Sequence, residues 1–497
     1  MNIAIGTDLG TVNSCVAVFV DGKTRVIPAP TGAMTTPSCV AFVDDQPIVG
    51  DEAKSYPHIY DVKRIIGYKY TNPELQAVLP YLTYTVTADP VTDNAVIVTD
   101  SGIHMTPEQI SALILQKMRE IAENYLGCTV TDAVITIPAY FTDSQRIATL
   151  NAGRLAGLNV LRIINEPTAA AIAYGINTDR DRYVLVYDLG GGTLDVSILE
   201  ISHDVYHVRG CTGKRRLGGV DFDNELLKYC IGEFCKINRL TTDAIAELLA
   251  NKRARDKLKR ACEDAKHTLS SAINTQICID ALFHGIDFSI SVSRTKFEQL
   301  CDAEFAQCIE PIDDALRIAD LEASQIDDIL LVGGATRMPK IQQMIGQKFG
   351  RVPQSINPDE IVASGAAIQA HMLQHQESAI VLLDTVSLSL GVEIAGNVMK
   401  ILIPRGTIRP CTVEEIFTTF ADNQTNVNIA IFEGESEYTY DNNRLGTITI
   451  ANIPLMARGV PRITVAFRVD NSNILHVSVV AFNRTHELTV SSDRDSF

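Results

Sequence analysis

The pattern of apolar and polar residues along the chain changes in character near residue 376. Before that point, short apolar runs typical of buried strands alternate with longer stretches at helical spacing, which is the pattern of an α/β domain. Runs of this kind predict strands over residues 133–137, 183–187 and 329–332. Apolar residues near helical spacing predict one long helix from about residue 241 to residue 269.

After residue 376 the pattern predicts a second, all-β block. A short apolar run over 380–384 follows a polar stretch, and no later segment has good helical spacing. Short alternating segments are separated by turn pairs such as Gly396-Asn397 and Asp422-Asn423. Repeated strands at this spacing are typical of a β-sandwich, here of about eight strands. We therefore predict an α/β domain over 1–376, an apolar linker over 377–387 and a β-sandwich domain over 388–497.

One short pattern occurs twice within the first block. A strand-like run over 3–8 leads into Leu9-Gly10-Thr11 and then into a second run over 15–20. A run over 183–188 leads into Leu-Gly-Gly-Gly-Thr at 189–193 and then into a second run over 196–199. Because strands frame both copies on both sides, we expect a duplicated domain with one hairpin from each half.

The two hairpins carry residues suited to binding phosphate. Glycine exposes backbone N–H groups to an anion because no Cβ blocks the approach, and a Thr hydroxyl adds a donor. An Asp at a strand end, here Asp8 or Asp188, can hold Mg²⁺ directly or through water. Two such hairpins facing each other would bind a triphosphate from both sides, although a single hairpin is more often an ordinary β-turn. The chain has no Gly-x-x-x-x-Gly-Lys-[Ser/Thr] motif, so it is not a P-loop enzyme.

A third glycine element favours a nucleotide as the phosphate-bearing ligand. Gly333-Gly334 follows the apolar run over 329–332, and a turn without side chains lets a flat ring such as adenine lie against the backbone. Two segments of small residues, 167–171 and 363–367, predict helices that cross closely. Such a crossing suits a hinge between two lobes or simply tight helix packing, and both interpretations can hold together.

Composition narrows the function classes without choosing a partner. The formal net charge of −17 argues against a general binder of nucleic acid or anionic membranes. The N-terminus has no basic region before its first strand-like run, and no apolar run is long enough to span a bilayer. The 11 cysteines are scattered and contain no Cys-x-x-Cys pair, which fits free thiols in a reducing compartment. We therefore expect a cytoplasmic protein with no nucleic-acid or membrane partner.

Taken in order, these motifs resemble those of the actin, sugar-kinase and heat-shock ATPase fold. Within that group the chain is similar to the 70-kDa heat-shock chaperones over essentially its whole length. The motifs that carry this closer resemblance are Ile-Pro-Ala-Tyr-Phe at 137–141, Leu-Gly-Gly-Val-Asp-Phe-Asp at 217–223, Leu-Ser-Leu-Gly at 388–391 and Ala-Arg-Gly-Val-Pro at 457–461. The resemblance implies a duplicated α/β ATPase domain of the actin-like, ribonuclease-H-like class. It also implies an all-β sandwich domain after it. Members of the family usually continue into a helical lid, and we expect none here because the chain stops where the lid would start.

The resemblance implies roles for single residues of the ATPase domain. Asp8 and Asp188 would organise Mg²⁺, and K⁺ as a monovalent cation, through water. The catalytic set implied for ATP hydrolysis is Lys63, Glu166, Asp195 and Thr193. The residues implied to contact ATP or ADP are Gly10, Thr11, Val12, Gly190, Gly191, Gly192, Thr193, Glu263, Lys266, His267, Ser270, Gly333, Gly334, Arg337 and Asp359.

Three positions at the expected nucleotide site depart from the family's pattern. His267 stands where an arginine is usual, Ala335 replaces a usual serine, and Val12 lies where a threonine is common. A neutral imidazole can stack on adenine but lacks the charge of a guanidinium. We therefore expect these changes to affect nucleotide affinity more than catalysis.

In the second block the resemblance implies a cleft for an extended apolar peptide. The residues implied to line this cleft or to arch over it are Val392, Ile394, Ala395, Phe417, Phe420, Val427 and Ile429. Without the resemblance, the pattern alone makes these residues core positions of a sandwich. The residues implied to couple the two domains are Pro138, Arg146, Leu382, Leu383 and Asp384. Near the linker, Ser387 replaces a usual proline and Ala379 replaces a usual acidic residue.

These features favour a monomeric, ATP-driven chaperone for unfolded or extended polypeptides. Its partners would be a J-domain protein that stimulates slow hydrolysis and a nucleotide exchange factor. Without a lid, peptide exchange is expected to be fast in both nucleotide states. One alternative is a regulatory relative that binds ATP and a partner protein without productive cycling, and the retained catalytic set argues against it. A small-molecule kinase of the same superfamily is a further alternative that would leave the β-sandwich unexplained.

Overall fold

The computed structural model describes residues 3–175, 181–202, 205–355, 357–375, 380–471, 474–482 and 484–489. The first lobe of the α/β block extends to residue 175. Its strands are β1 (Ile5–Asp8), β2 (Asn13–Val20), β3 (Lys23–Val26), β4 (Thr36–Pro37), β5 (Val40–Val43), β6 (Gln46–Val49), β7 (His58–Ile59), β8 (Thr85–Ala88), β9 (Ala95–Val98), β10 (His104–Met105), β11 (Asp132–Ile137) and β12 (Asn159–Asn165). Its helices are α1 (Pro73–Val78), α2 (Pro107–Leu126), α3 (Asp143–Leu155) and α4 (Glu166–Gly175).

The central sheet of this lobe is built around the first glycine hairpin. Its strand order is β12-β11-β1-β2-β3, and β4 also pairs with β2. Strands β1 and β2 are antiparallel, whereas β1 runs parallel to β11 with Ile5 opposite Ala133. Asp8, the last residue of β1, therefore lies at the carboxyl edge of parallel strands, where ligands bind in α/β sheets.

The second lobe repeats this arrangement. Its strands are β13 (Arg182–Leu189), β14 (Leu194–Ser202), β15 (Val205–Lys214), β16 (Asn274–Phe283), β17 (Ile286–Ser293), β18 (Asp328–Val332) and β19 (Gln354–Ser355). Its helices are α5 (Gly219–Ile237), α6 (Thr242–Ala250), α7 (Lys252–Ser271), α8 (Arg294–Leu300), α9 (Asp302–Gln307), α10 (Glu310–Ala319), α11 (Pro339–Phe349) and α12 (Ile361–His375). The sheet order β19-β18-β13-β14-β15 again joins an antiparallel hairpin to parallel strands, so the predicted duplication is confirmed.

The prediction of one helix over 241–269 is wrong, because α6 ends before α7 begins. Asn251 lies between them in an extended conformation, with φ −78° and ψ 97°. Its side-chain oxygen accepts a hydrogen bond from the backbone N–H of Ala254 and so caps α7. Asn competes with helical hydrogen bonding in this way, and periodicity alone does not detect it.

Helices α4 and α12 cross at small residues, as predicted. A Cβ at Gly365 of α12 would lie only 1.7 Å from the carbonyl oxygen of Ala169 in α4. A Cβ at Gly6 of β1 would lie 2.0 Å from the backbone nitrogen of Ala367, so α12 also packs closely on the first-lobe sheet. The helix that ends the second lobe is thereby fitted against the first.

The second block is a sandwich of two four-stranded antiparallel sheets. Its strands are β21 (Leu390–Ile394), β22 (Val398–Ile403), β23 (Cys411–Phe417), β24 (Val427–Glu433), β25 (Asn443–Ile450), β26 (Ile463–Val469), β27 (Leu475–Ala481) and β28 (Arg484–Thr489). The sheets have the orders β22-β21-β24-β25 and β23-β26-β27-β28, which confirms the predicted number of strands. Side chains such as Ile431, Phe467 and Val479 form the core between them.

The apolar run between the blocks forms a strand of its own, β20 (Val381–Leu383). It runs parallel to β15, with Val381 opposite Val205, and so extends the second-lobe sheet by one strand. No helix in the described part of the chain combines the length and the hydropathy needed to cross a membrane.

We predict that Gly365→Ala lowers the free energy of unfolding of the ATPase domain by roughly 3 kcal/mol or more, because its new methyl group would overlap the Ala169 carbonyl. Urea unfolding followed by circular dichroism measures the effect. The matched control is Gly232→Ala in α5, where a Cβ meets nothing within 4 Å. That substitution is expected to be neutral or to stabilise by up to about 1 kcal/mol, and equal effects of the two changes would contradict the crossing.

Candidate active site

The two glycine hairpins meet tip to tip. A Cβ at Gly191 would lie 2.4 Å from Cγ2 of Val12, and a Cβ at Gly192 would lie 2.7 Å from Oγ1 of Thr11. The hairpins therefore approach so closely that neither side could carry a larger residue at the contact. Their backbone N–H groups and Thr hydroxyls lie along one cleft between the lobes.

That cleft has an empty volume of about 930 Å³, including its opening to solvent. The predicted site residues that line it are Asp8, Gly10, Thr11, Val12, Lys63, Glu166, Asp188, Gly190, Gly191, Thr193, Glu263, Lys266, His267, Ser270, Gly333, Gly334 and Asp359. Three predicted residues are not part of this lining: Gly192 and Asp195, which are buried, and Arg337. Arg337 is half-exposed and forms an ion pair with Asp359, which itself faces the cleft.

The floor of the cleft holds more acidic than basic side chains. The ammonium of Lys63 lies 2.5 Å from Oε1 of Glu166, and both side chains are buried. Burial opposes the charge of Lys63, but the carboxylates of Glu166 and Asp8 raise its pKa above the ordinary value. Burial also raises the pKa of Glu166, Asp8 and Asp188, and repulsion from neighbouring carboxylates adds to each rise.

Asp195 lies next to this cluster. Its Oδ1 accepts a hydrogen bond of 3.1 Å from the backbone N–H of Tyr140, whereas its Oδ2 is buried and has no partner among the described residues. Burial raises the pKa of Asp195 to about 6. Four acidic side chains thus face one lysine, and a bound cation would relieve this imbalance.

The cluster fits Mg²⁺ bound together with a nucleotide better than a metal held by protein alone. Within the described ranges, no group of three or more His, Cys, Asp or Glu side chains is arranged to hold a metal ion. Mg²⁺ keeps several waters and is usually bound through one or two carboxylates plus substrate phosphates. Asp8 and Asp188 lie near the ends of matching strands and line the cleft, and their carboxylates are of the type that such a donor set would need.

Helix α7 forms the wall of the cleft on the side predicted for adenosine. Lys266 is held in place by Asp223 at 2.6 Å and by the carbonyl oxygen of Gly219 at 3.0 Å. Burial and the charge of Lys266 lower the pKa of His267, so its ring is neutral at pH 7. Gly333 adopts φ 81°, a conformation that favours glycine, and a Cβ there would lie 2.3 Å from the carbonyl oxygen of Leu189.

Sequence reasoning missed several residues of the lining. These residues are Asn13, Thr35, Gly219, Val332, Ala335, Met338, Pro358 and Val362. Gly219 belongs to the motif at 217–223, and Ala335 was noted as a departure from the family's pattern. Thr35 and Val362 have no local pattern that points to a site, because tertiary contacts alone bring them to the cleft.

Comparison with known proteins decides the family. A family model described as Hsp70 protein matches residues 4–496. The chain belongs to the Hsp70 family. It is 47% identical to a heat shock 70 kDa protein of Neurospora crassa over 510 aligned positions, which cover 99% of this chain and 78% of that protein. It is 46% identical to heat shock 70 kDa protein 2 of Paracoccidioides lutzii, with 99% and 77% covered. Heat shock cognate 70 kDa protein 3 of Dictyostelium discoideum is 42% identical, with 99% and 80% covered.

Membership of the Hsp70 family confirms the predicted fold class and general function. Hsp70 proteins are ATPases with an actin-like domain and a β-sandwich, and they bind ATP or ADP with Mg²⁺. They act as chaperones on unfolded polypeptides, with J-domain proteins and exchange factors as general partners of the family. This chain is accordingly an ATP-dependent chaperone, and the regulatory alternative is not favoured.

In this Hsp70 chain the linker and the ATPase domain share a buried polar network. The amide of Asn165 donates to Asp384 at 3.1 Å, and Arg409 of the sandwich forms an ion pair with the same carboxylate. Arg146 donates to Asn165 at 3.1 Å and to Oγ of Ser387 at 3.2 Å. Three of the predicted coupling residues lie here or beside it: Pro138, Arg146 and Asp384. The other two, Leu382 and Leu383, belong to β20.

Ser387, which stands where the family usually has a proline, contributes two hydrogen bonds through its hydroxyl. Its hydroxyl donates to the carbonyl oxygen of Ala139 at 2.8 Å and accepts from Arg146. A proline at this position has no hydroxyl and makes neither contact. Ala379 lies outside the described residues.

The predicted peptide-binding residues divide into two groups. Val392 and Ile429 are buried in the sandwich core, and Phe417 and Val427 pack against that core. Ile394, Ala395 and Phe420 are exposed. Phe420 is 81% exposed, the largest value for a described Phe, so it is available to a ligand.

A pair of buried carboxyl groups faces each other between the domains. The N–H of Asp143, in α3, donates to Oε2 of Glu433, in β24, at 3.4 Å. The N–H of Leu475 donates to Oδ1 of Asp143 at 3.3 Å, while Oδ2 is buried without a partner among the described residues. Burial and the Glu433 charge raise the pKa of Asp143 well above its usual range, and burial likewise raises that of Glu433.

We predict that docking of the sandwich on the ATPase domain strengthens as the pH falls toward the raised pKa values of these two carboxyls. Both carboxyls have raised pKa values when docked, so docking takes up protons, and the preference is lost as the pH rises through the docked pKa. The nearby guanidinium groups of Arg146 and Arg215 stay charged as these carboxyls titrate. Energy transfer between dyes on the two domains, in saturating ATP, measures the docked fraction.

Asp143→Asn removes one of the two acidic groups. It should increase docking at pH 7.5 and flatten its pH dependence. Glu414→Gln, at an exposed position on the sandwich, is the matched control and should change neither. A pH dependence that is as steep in Asp143→Asn as in the parent protein would contradict the prediction.

Proposed function

We propose that this chain hydrolyses ATP in the cleft between its lobes and couples the reaction to binding of extended apolar polypeptide segments. The observation that supports the proposal most strongly is the Lys63–Glu166 pair, which lies beside both glycine hairpins in a single cleft. Two hairpins alone would bind a phosphate. The charged pair between them supplies groups that a hydrolytic step needs.

In the proposed reaction the protein positions water and stabilises charge. Lys63, charged at pH 7, would offset charge on the terminal phosphate, and its contact with Glu166 fixes its location. Glu166 and Asp195 carry the acceptor oxygens that would orient the attacking water. Bound Mg²⁺ would supply further charge compensation for the phosphates. Phosphoryl transfer needs mainly positioning and charge stabilisation, so these groups suffice.

The remaining site residues are proposed to hold the nucleotide. N–H groups of the two hairpins and the hydroxyls of Thr11 and Thr193 would bind the phosphates. The adenosine would lie between α7 and the Gly333-Gly334 turn. K⁺ is proposed as a second cation beside Asp8 and Asp188. Glu263, Lys266, His267 and Ser270 would contact the adenosine from α7, with the Arg337–Asp359 pair beside the turn.

A continuous chain of hydrogen bonds supports coupling between hydrolysis and the linker. Asp195 accepts from the N–H of Tyr140, and the preceding carbonyl, that of Ala139, accepts from both Arg146 and Ser387. Arg146 in turn contacts Asn165, which donates to Asp384 of the linker. A shift of Asp195 when the phosphate leaves would therefore reach the linker through directly hydrogen-bonded groups.

The proposed domain boundaries are 1–376 for the ATPase domain, 377–387 for the linker and 388–497 for the peptide-binding domain. The proposed partners are extended polypeptides, a J-domain protein that stimulates slow hydrolysis, and a nucleotide exchange factor. The protein is proposed to act in the cytoplasm as a monomer. Free cysteines throughout the described part of the chain are compatible with a reducing compartment.

We predict that Lys63→Met lowers the single-turnover rate of ATP hydrolysis about 100-fold or more, because the charge facing the terminal phosphate is lost. The rate is measured on purified protein with and without a J-domain protein and an apolar peptide. Lys54→Met, an exposed lysine of the same lobe, should leave the rate unchanged. Stimulation of the parent protein by both additions is expected. Tight ATP binding without turnover under any condition would instead place this chain in the regulatory class.

We predict that Phe420→Ser weakens binding of a fluorescent apolar peptide about tenfold, because burying a phenyl ring contributes roughly 1.5–3 kcal/mol. Fluorescence anisotropy measures the affinity. Basal ATP hydrolysis should be unchanged, since the residue is 81% exposed and remote from the cleft. Val91→Ser, at an 87% exposed position in the first lobe, is the control for loss of an exposed apolar side chain. Unchanged affinity in Phe420→Ser would contradict peptide binding at this loop.

A further inference from the structure

Arg64 is a buried arginine next to the active cleft that the proposed reaction does not use. Its side chain is only 5% exposed. Both terminal nitrogens contact the carboxylate of Asp221, with Nη1 at 3.1 Å from Oδ1, and Nη2 also donates to the carbonyl oxygen of Gly192 at 3.1 Å. The guanidinium therefore joins two separate elements of the second lobe, although Arg64 itself belongs to the first.

The two groups that Arg64 contacts belong to the second phosphate hairpin and its support. Asp221 accepts from the N–H of Gly218 at 2.8 Å and so caps the start of α5. The next N–H groups of α5, those of Gly219 and Val220, donate to the carbonyl oxygens of the hairpin residues 190 and 191, each at 2.9 Å. The start of α5 is therefore hydrogen-bonded to the hairpin, and the guanidinium of Arg64 contacts both of them.

Arg64 also belongs to the short turn that presents Lys63. This turn, Val62–Arg64, is a single 3-10 turn whose three residues are all buried, so a shift of its backbone displaces both side chains. At its start, Asp61 pairs with Lys259 of α7 at 2.9 Å, which gives the turn a second contact with the opposite lobe. The distance between the Lys63 ammonium and the hairpin is consequently set by the contacts on either side of Lys63.

We propose that Arg64 is a positioning residue for ATP hydrolysis. Through the Gly192 carbonyl and the Asp221 carboxylate it holds the second phosphate hairpin at the correct distance from Lys63. Arg64 is absent from the residues that line the cleft, so it acts through its neighbours and does not itself contact the phosphates. The inference rests on the proposed function of the cleft and adds a residue to its machinery.

A role in stability alone explains these contacts less well. The Nε of Arg64 is buried and has no partner within the described residues. A buried ion pair that leaves a donor unpaired is an inefficient way to join two surfaces, because its desolvation cost is high. The fork geometry does, however, fix direction as well as distance, which is what placement of a catalytic group requires.

The test is Arg64→Lys, which keeps the positive charge but cannot bind Asp221 and Gly192 in one plane. We expect its single-turnover rate of hydrolysis to fall about 10- to 100-fold, since misplacing a reacting group by about 1 Å can cost that much. Its dissociation constant for ATP should change less than threefold, because the hairpin N–H groups remain. This split between rate and affinity separates positioning from a general loss of structure. Arg25→Lys, at an exposed ion pair, is the control.

Asp221→Asn provides a second, independent variant. If Arg64 acts through Asp221, the rate of the double variant should be close to that of the slower single variant, since the second change removes an interaction already lost. A normal rate in Arg64→Lys overturns the inference, as does a loss that multiplies independently with that of Asp221→Asn. A parent protein without any turnover overturns the proposed function as well, so the two failures are distinguishable.

Discussion

The contact between the two glycine hairpins is the constraint on which the rest of this structure depends. Where residues 191 and 192 meet Val12 and Thr11, a Cβ would come within 2.4 to 2.7 Å of the opposite hairpin. The lobes can close to this distance only because glycine occupies the contact. Closure brings the hairpin N–H groups of both halves into one cleft, and it places Lys63 of the first lobe beside the strand ends of the second. The Gly365–Ala169 crossing of α4 and α12 requires a similarly close approach.

Closure also concentrates charge, and the structure handles this charge differently in its two buried sites. In the cleft, four acidic side chains face the single lysine Lys63. The cations that accompany a nucleotide would balance this excess of acidic groups. At the domain interface, Asp384 is paired with Arg409 and accepts a hydrogen bond from Asn165. Asp143 and Glu433 lie close together there, and no described residue forms an ion pair with either of them. The first site is completed by ligand binding. The second is sensitive to protonation, because burying two like charges together costs more than burying two neutral acids.

The chain of hydrogen bonds between the cleft and the domain interface is short and consists of backbone groups and buried side chains. From Asp195 to Asp384 the path crosses only a backbone amide and carbonyl at Tyr140 and Ala139, then Arg146 and Asn165. Ser387 adds a further contact to the Ala139 carbonyl that a proline could not make. In this chain the linker is therefore joined to the ATPase domain by polar contacts as well as by the pairing of β20 with β15. Both kinds of contact must break for the linker to leave the ATPase domain.

The sequence by itself determined the duplicated hairpins, the sandwich and most of the cleft lining. These features are encoded locally, in glycine turns, strand periodicity and short motifs. Local pattern failed at Asn251, where a capping side chain interrupts helical spacing, and it did not separate the buried Val392 from the exposed Phe420. Only the tertiary structure decided the contacts of Arg64 with Asp221, of Asp143 with Glu433 and of Ser387 with Arg146. The members of these pairs are 157, 290 and 241 positions apart in the chain, so no local regularity connects them, and folding alone brings them together.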